Sequence, residues 1–198
     1  MPQWLEDAEN GLTVRFRSLL AGLYRDLQQL DERVRELDQE VAAITREHEP
    51  VRRLMQINGV GPLIASALYA LVGDARQYRN GRDLAVALGL TPRQHSSGGK
   101  EKLLGISKRG DKYVRTLLIH GARSALRTAP SRTDRISRWA LALAERSHPN
   151  VAVTALANKT ARVAWAMLRH GANYEPERVA DYNSLPRFIH SMAREERC

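Results

Sequence analysis

Cysteine is almost missing from this chain of 198 residues, and the single one, Cys198, stands at its extreme end. No internal disulfide can form, so a reducing compartment is expected. With no second cysteine, and with histidines such as His95, His120, His148, His170 and His190 scattered, no zinc-ligand spacing exists and no metal site is expected in this chain. No run approaches the roughly 18–20 uncharged apolar residues that a membrane-spanning helix needs. The opening Met1-Pro2-Gln3-Trp4-Leu5-Glu6-Asp7 lacks the basic and apolar regions of a signal peptide. These absences lead to the expectation of a soluble, cytoplasmic protein. Gly-x-x-x-x-Gly-Lys-Ser/Thr is missing, which excludes a P-loop, and so is the Gly-x-Ser-x-Gly of a hydrolase elbow. No segment reads as a convincing strand and no internal repeat is present, so the expected fold class is all-α.

What is abundant is positive charge, and it is not evenly spread. The formal net charge is +9. Residues 1–50 hold six Arg against eleven acidic residues, whereas residues 91–138 hold twelve Lys and Arg against three. An excess concentrated in about a quarter of the chain reads as a footprint for a polyanion; a solvated basic face is the plain alternative.

Along the chain, Leu20, Leu23, Leu27, Leu30, Val34, Leu37, Val41 and Ile44 recur at alternating spacings of three and four. That is an a/d heptad pattern, with Arg25, Asp26, Arg33, Glu36 and Glu40 on the other faces. So narrow an apolar stripe wants another helix, either from a second chain as a dimeric coiled coil or from an internal antiparallel hairpin. Pro50 then punctuates. Within residues 54–70, Gly59-Val60-Gly61-Pro62 reads as a tight turn between two short helices. Gly59 and Gly61 are expected to supply positive φ and close backbone approach, and Pro62 to open the second helix. This pattern matches a helix-hairpin-helix whose free amides at Gly59, Val60 and Gly61 can meet a phosphate; a turn used only for packing is the other reading.

Residues 89–110 contain Gly89, Pro92, Gly98, Gly99, Gly105 and Gly110, too many breakers for regular structure, and are expected as a basic loop. Asp111 is a plausible cap for a helix that Pro130 closes; residues 136–146 and 151–170 read as further helices, the last ending at Gly171. The domain reading is therefore 1–50 coiled-coil helix, 51–174 helical domain, 175–198 polar tail. The loop places Ser96 and Ser97 beside paired glycines, with Arg93, Lys100, Lys102, Lys108 and Arg109 around them. A serine so placed can attack a phosphodiester, cations stabilising the phosphorane. The same groups can instead only grip a phosphate, or form a flexible surface loop. Asp74 and Asp83 invite assignment as metal ligands, but a turn and a helix edge are the expected homes for them.

The stretches Ile57–Pro62, Gly89–Lys100, Gly105–Asp111, Leu117–Arg123, Ala157–Arg162 and Trp165–Leu168 resemble the C-terminal domain of a transposase family. It is the family of DEDD-type insertion-sequence recombinases guided by a bridge RNA, in its inverted-repeat subgroup, and the similarity runs from about Trp4 to Tyr174. The resemblance implies a bacterial, nucleoid-associated protein with DNA and a guide RNA as partners and a coiled coil supporting homo-oligomers. It also implies a serine that forms a transient phosphoserine with DNA, best matched by Ser97 before Gly98, with Ser96 as the alternative. In such enzymes an N-terminal RuvC-like domain binds Mg²⁺ through four acidic residues. Only about a dozen residues precede the heptads here, so a truncated reading frame, or a remnant of a decayed element, is expected. The function expected is DNA binding and strand exchange in transposition once a metal-binding domain is supplied. The alternatives are a non-catalytic nucleic-acid-binding module and a coiled-coil assembly protein.

Overall fold

The heptad pattern at 20–44 lies on one uninterrupted helix. In the computed structural model, which describes residues 3–7, 9–97 and 100–176 (backbone alone for Trp4, 94–97 and 100–104), α2 runs Val14–Glu47. No glycine or proline interrupts it after Gly22, and its apolar stripe is bare. Leu23 is 65% exposed and Leu30 64%. The chain divides into two compact units, Met1–Ile44 and Thr45–Cys198. In the first, a short α1 (Gln3–Glu6) precedes α2. The Arg17 guanidinium ties that segment down, donating to the Leu5 carbonyl at 2.9 Å, the Leu12 carbonyl at 3.1 Å and Asn10 Oδ1 at 2.7 Å.

The second unit is a helical bundle: α3 (Glu49–Leu54), α4 (Pro62–Val72), α5 (Gly81–Ala87), α6 (Lys112–Thr128), α7 (Arg135–Arg146) and α8 (Pro149–His170). Its boundaries follow local chemistry. Asn80, Asp111 and Asp134 each accept a backbone N–H of the following first turn, satisfying donors a helix start leaves orphaned. Pro50, Pro62 and Pro149 occupy first turns, where a missing N–H costs nothing. Gly171, at φ 63° and ψ 22°, ends α8 in the left-handed conformation. Leu54, Leu68, Leu84, Leu88, Leu90 and Leu118 are fully buried in a single core. Helix α8 reaches this core with Ala157, Ala161 and Ala164, small enough to let α5 and α6 come close.

The fold is mostly helical, as the sequence indicates, with one correction. Where no strand and only a basic loop were expected, β1 (Pro92–Ser97) and β2 (Lys100–Ile106) form an antiparallel ladder. Ser97 pairs opposite Lys100, Ser96 opposite Glu101 and His95 opposite Lys102. The register slips by one residue between Pro92 and Gln94, where a proline without an N–H cannot serve the ladder. The glycines that look like breakers lie at the ladder's base and beside its turn. Most of the expected polar tail lies outside the described residues, beyond 176.

Candidate nucleic-acid interface

The ladder is carried on a locked base. Gly89 (φ 66°) and Gly110 (φ 110°) both lie in the region that side chains avoid. A Cβ on Gly89 would collide with the Arg109 carbonyl and stand 2.7 Å from the Arg109 nitrogen. One on Gly110 would collide with the Ala87 carbonyl. Backbone bonds cross at this point: Ser107 N–H to the Thr91 carbonyl at 2.7 Å, Lys108 N–H to Gly89 at 3.1 Å, and Leu90 N–H to Ala85 at 2.9 Å. Lys108 itself sits at φ 55°, held there although it is not glycine.

Two side chains pin the same junction from the helices. The buried Arg115 of α6 donates from Nη1 to the Leu88 carbonyl at 2.9 Å. Asn158 of α8, also buried, donates from Nδ2 to the Leu90 carbonyl at 3.1 Å. Neither was singled out in the sequence as an anchor, although a lone Asn within the apolar face of α8 is a usable signal. The cations expected around the site separate into two groups. Arg93, Lys108 and Arg109 are exposed at the base, and Lys100 and Lys102 are on β2. Ser96 and Ser97 close β1.

The turn at 59–61 is largely a packing device. Gly59 (φ 82°) lies against α6, where a Cβ would meet the Gly121 carbonyl and stand 2.9 Å from Ala125 Cβ. Val60 is buried. Gly61 departs from the expected positive φ: it has φ −88° and ψ −179°, with open space around its missing Cβ. The following Pro62 explains this, because proline pushes its predecessor into extended conformations. Asp74 accepts the Arg76 N–H at 2.8 Å, and Asp83 pairs with Arg79 at 2.9 Å; both are structural. Among the described residues no three His, Cys, Asp or Glu side chains converge as metal ligands, and no helix is long and apolar enough to cross a membrane.

A further basic cluster was not expected from the sequence. Lys159 of α8 is buried, with Nζ 4.7 Å from the ring centroid of Trp139. Desolvation, then repulsion from Arg162 and Arg135, pushes its pKa down to about 8. Arg162 is held below its ordinary value by desolvation and by Arg82.

Residues 51–137 match the model of the Transposase IS116/IS110/IS902 family. The chain is similar to a Pseudomonas aeruginosa protein named "Probable family 20 transposase", with 49% identity over 158 residues, 80% of this chain and 47% of that protein. It is similar to the transposase for insertion sequence element IS1111A of Coxiella burnetii at 46% over 174 residues, 88% of this chain and 48% of that protein. A third relative, the transposase for insertion sequence element IS1328 of Yersinia enterocolitica, is 39% identical over 153 residues, 77% of this chain and 46% of its own. The chain thus spans about half the length of the curated relatives it matches. The helical unit that carries the clamped ladder therefore contains a transposase domain of the IS116/IS110/IS902 family.

Proposed function

We propose that this chain is the DNA-handling part of a transposase, and that Ser97 is the nucleophile that joins protein to DNA during strand exchange. The observation that carries the reading is the clamped β-ladder, which ends β1 on the two serines and is fixed to the core at Leu88 and Leu90 by Arg115 and Asn158. A nucleophile needs such a fixed mount, since a misplacement of about 1 Å can cost roughly 100-fold in rate. What supports Ser97 over Ser96 is the register. Opposed positions of an antiparallel ladder share a face and neighbours alternate. Position 97 therefore shares its face with positions 95, 100 and 102, which are His95, Lys100 and Lys102, whereas position 96 shares its face with Glu101.

In the step proposed, Ser97 Oγ gives up its proton and bonds to phosphorus, and the displaced sugar oxygen leaves and takes up a proton. Cations offset the charge that builds on the phosphoryl oxygens. The described carboxylates do not fit a metal site. The Mg²⁺ of the proposal belongs to a separate RuvC-like domain, and no step here is routed through it. DNA and a guide RNA are the proposed partners, and the bare face of α2 is proposed to pair with α2 of a second copy.

The test is to fuse a RuvC-like domain from a close relative ahead of Trp4, supply guide RNA and DNA, and assay protein–DNA adducts that survive denaturation. Ser97→Ala should abolish the adduct while leaving DNA binding nearly intact, because one neutral hydrogen bond is worth only about 0.5–1.5 kcal/mol. If Ser96→Ala alone abolishes it, the nucleophile is one residue earlier. If both variants form adducts, the serine mechanism is wrong and the ladder is only a phosphate clamp, the non-catalytic reading.

A further inference from the structure

The cations on α8 ask for an explanation that the ladder does not provide. Lys159 and Arg162 are three residues apart, hence neighbours on one helical face. Gly81 opens α5 so close to α8 that a Cβ there would stand 2.9 Å from the Arg162 carbonyl oxygen and 3.1 Å from its Cβ. That approach brings Arg82 beside Arg162, and Arg135 at the start of α7 completes the group around Lys159.

Carboxylates that could neutralise the group are close in sequence but turned to other work. Asp83 is paired with Arg79 at 2.9 Å. Asp134 is paired with Arg132 at 3.1 Å and accepts from the backbone and hydroxyl of Ser137. The charges that act on Lys159 are those of Arg162 and Arg135, and the charge that acts on Arg162 is that of Arg82. Removing cations from water beside other cations costs free energy in the folded protein. An anion placed among them reverses the sign of that interaction, and guanidinium groups match the two oxygens of a phosphate.

We propose that Arg82, Lys159 and Arg162, with Arg135, form a second phosphate-binding surface on the α5–α8 side of the bundle that takes the phosphodiester backbone of a nucleic acid. This rests on the nucleic-acid reading given above, but it concerns different residues and can fail separately. The shared chemistry is the phosphodiester; duplex DNA and guide-like RNA are its two sources.

The experiment is fluorescence anisotropy of a short labelled DNA duplex, and of an RNA of the same length, titrated with the full chain across a salt series. Variants are R82Q, R162Q and their double, with K108Q/R109Q at the ladder base and R25Q on α2 as a control for general loss of charge. If both arginines contact phosphates, the double variant should flatten the slope of log affinity against log salt by about 1.8 on duplex DNA, or by about 1.4 on a single strand. The substrate that shows the loss identifies the source. Circular dichroism should show the variants folded, with melting temperatures equal to or above that of the parent, because repulsion has been relieved. Should R162Q unfold, R82Q (an exposed position) and the charge-keeping R162K decide: the first loses about 0.9 of slope on duplex and the second none. Unchanged slopes for R82Q and R162Q on both substrates, or a loss no greater than that of R25Q, overturn the proposal. If K108Q/R109Q still weakens binding in that case, the ladder reading survives; if no variant weakens it, both fall.

Discussion

Substituting alanine at Gly59 separates a glycine that the backbone requires from one it does not. At φ 82° an L-residue is strained, at a cost of about 1–2 kcal/mol. The added Cβ would also meet the Gly121 carbonyl and stand 2.9 Å from Ala125 Cβ and 3.0 Å from the Gly121 carbonyl carbon. Backbone of a packed helix cannot swing aside as a lysine tip can, and overpacking of this kind costs about 1–3 kcal/mol. Together the two effects give about 2–5 kcal/mol. Each kcal/mol lowers the melting temperature of a chain this size by roughly 2–4 °C, so Gly59→Ala should melt about 4–20 °C below the parent. Gly61→Ala is the internal control. With φ −88° and nothing near the missing Cβ, it should melt within a few degrees of the parent, near the ±0.5 kcal/mol of an ordinary surface change (about 2 °C at most). Thermal and urea unfolding followed by far-ultraviolet circular dichroism measure both. Equal melting points for the two variants, or a Gly59→Ala protein as stable as the parent, would refute the idea that the turn is pressed onto α6.

Lys159 is driven below its ordinary 10.5 to about 8, so between these values the unfolded chain binds more protons and stability should rise with pH. After discounting for residual solvent access the gain is about 1–2 kcal/mol. Lys159→Met should remove that rise; urea unfolding at intervals across the window shows it, and an identical pH profile for the variant contradicts it. Leu27→Glu with Leu30→Glu should abolish self-association through α2, which sedimentation of parent and variant measures, a monomeric parent counting against pairing. Arg115→Met removes a charged donor from the Leu88 carbonyl and should destabilise by about 1.5–3 kcal/mol. Amide hydrogen exchange should then quicken at Leu90, Ser107 and Lys108; unchanged protection there would show that Arg115 does not hold the ladder.

The helices were legible because their signals are local. Asp111, Pro62, Gly171 and the heptad leucines act within a turn or two of where they stand. The ladder was not read because Gly89, Gly98, Gly99, Gly105 and Gly110 were weighed as breakers. Gly98-Gly99 between two short runs is itself a hairpin signal, and Gly89 and Gly110 are there for contacts with Arg109 and Ala87 that arise only in the folded chain. Gly61 was misjudged because its own freedom was considered without the constraint that Pro62 imposes. The α8 cations escaped notice for another reason. Lys159 and Arg162 look like an ordinary polar helix face until α5 and α7 bring Arg82 and Arg135 beside them, a juxtaposition across 77 positions of sequence between Arg82 and Lys159.

Helix α8 lies beyond the last residue of the family match, 137, yet it supplies Leu156, Ala157, Ala161, Ala164 and Met167 to the same core as Leu54, Leu84 and Leu118. The recognisable stretch of sequence is therefore shorter than the cooperative folding unit. A fragment ending at 137 would leave Leu84, Leu88 and Leu90 facing water and the Leu90 carbonyl without Asn158. Such a fragment would collapse without reaching a unique packing, and loss of DNA binding by it would say nothing about its surface. In comparisons among relatives, a lesion in α8 should thus disable the ladder as effectively as one in the ladder itself, although it changes no residue that touches a nucleic acid there.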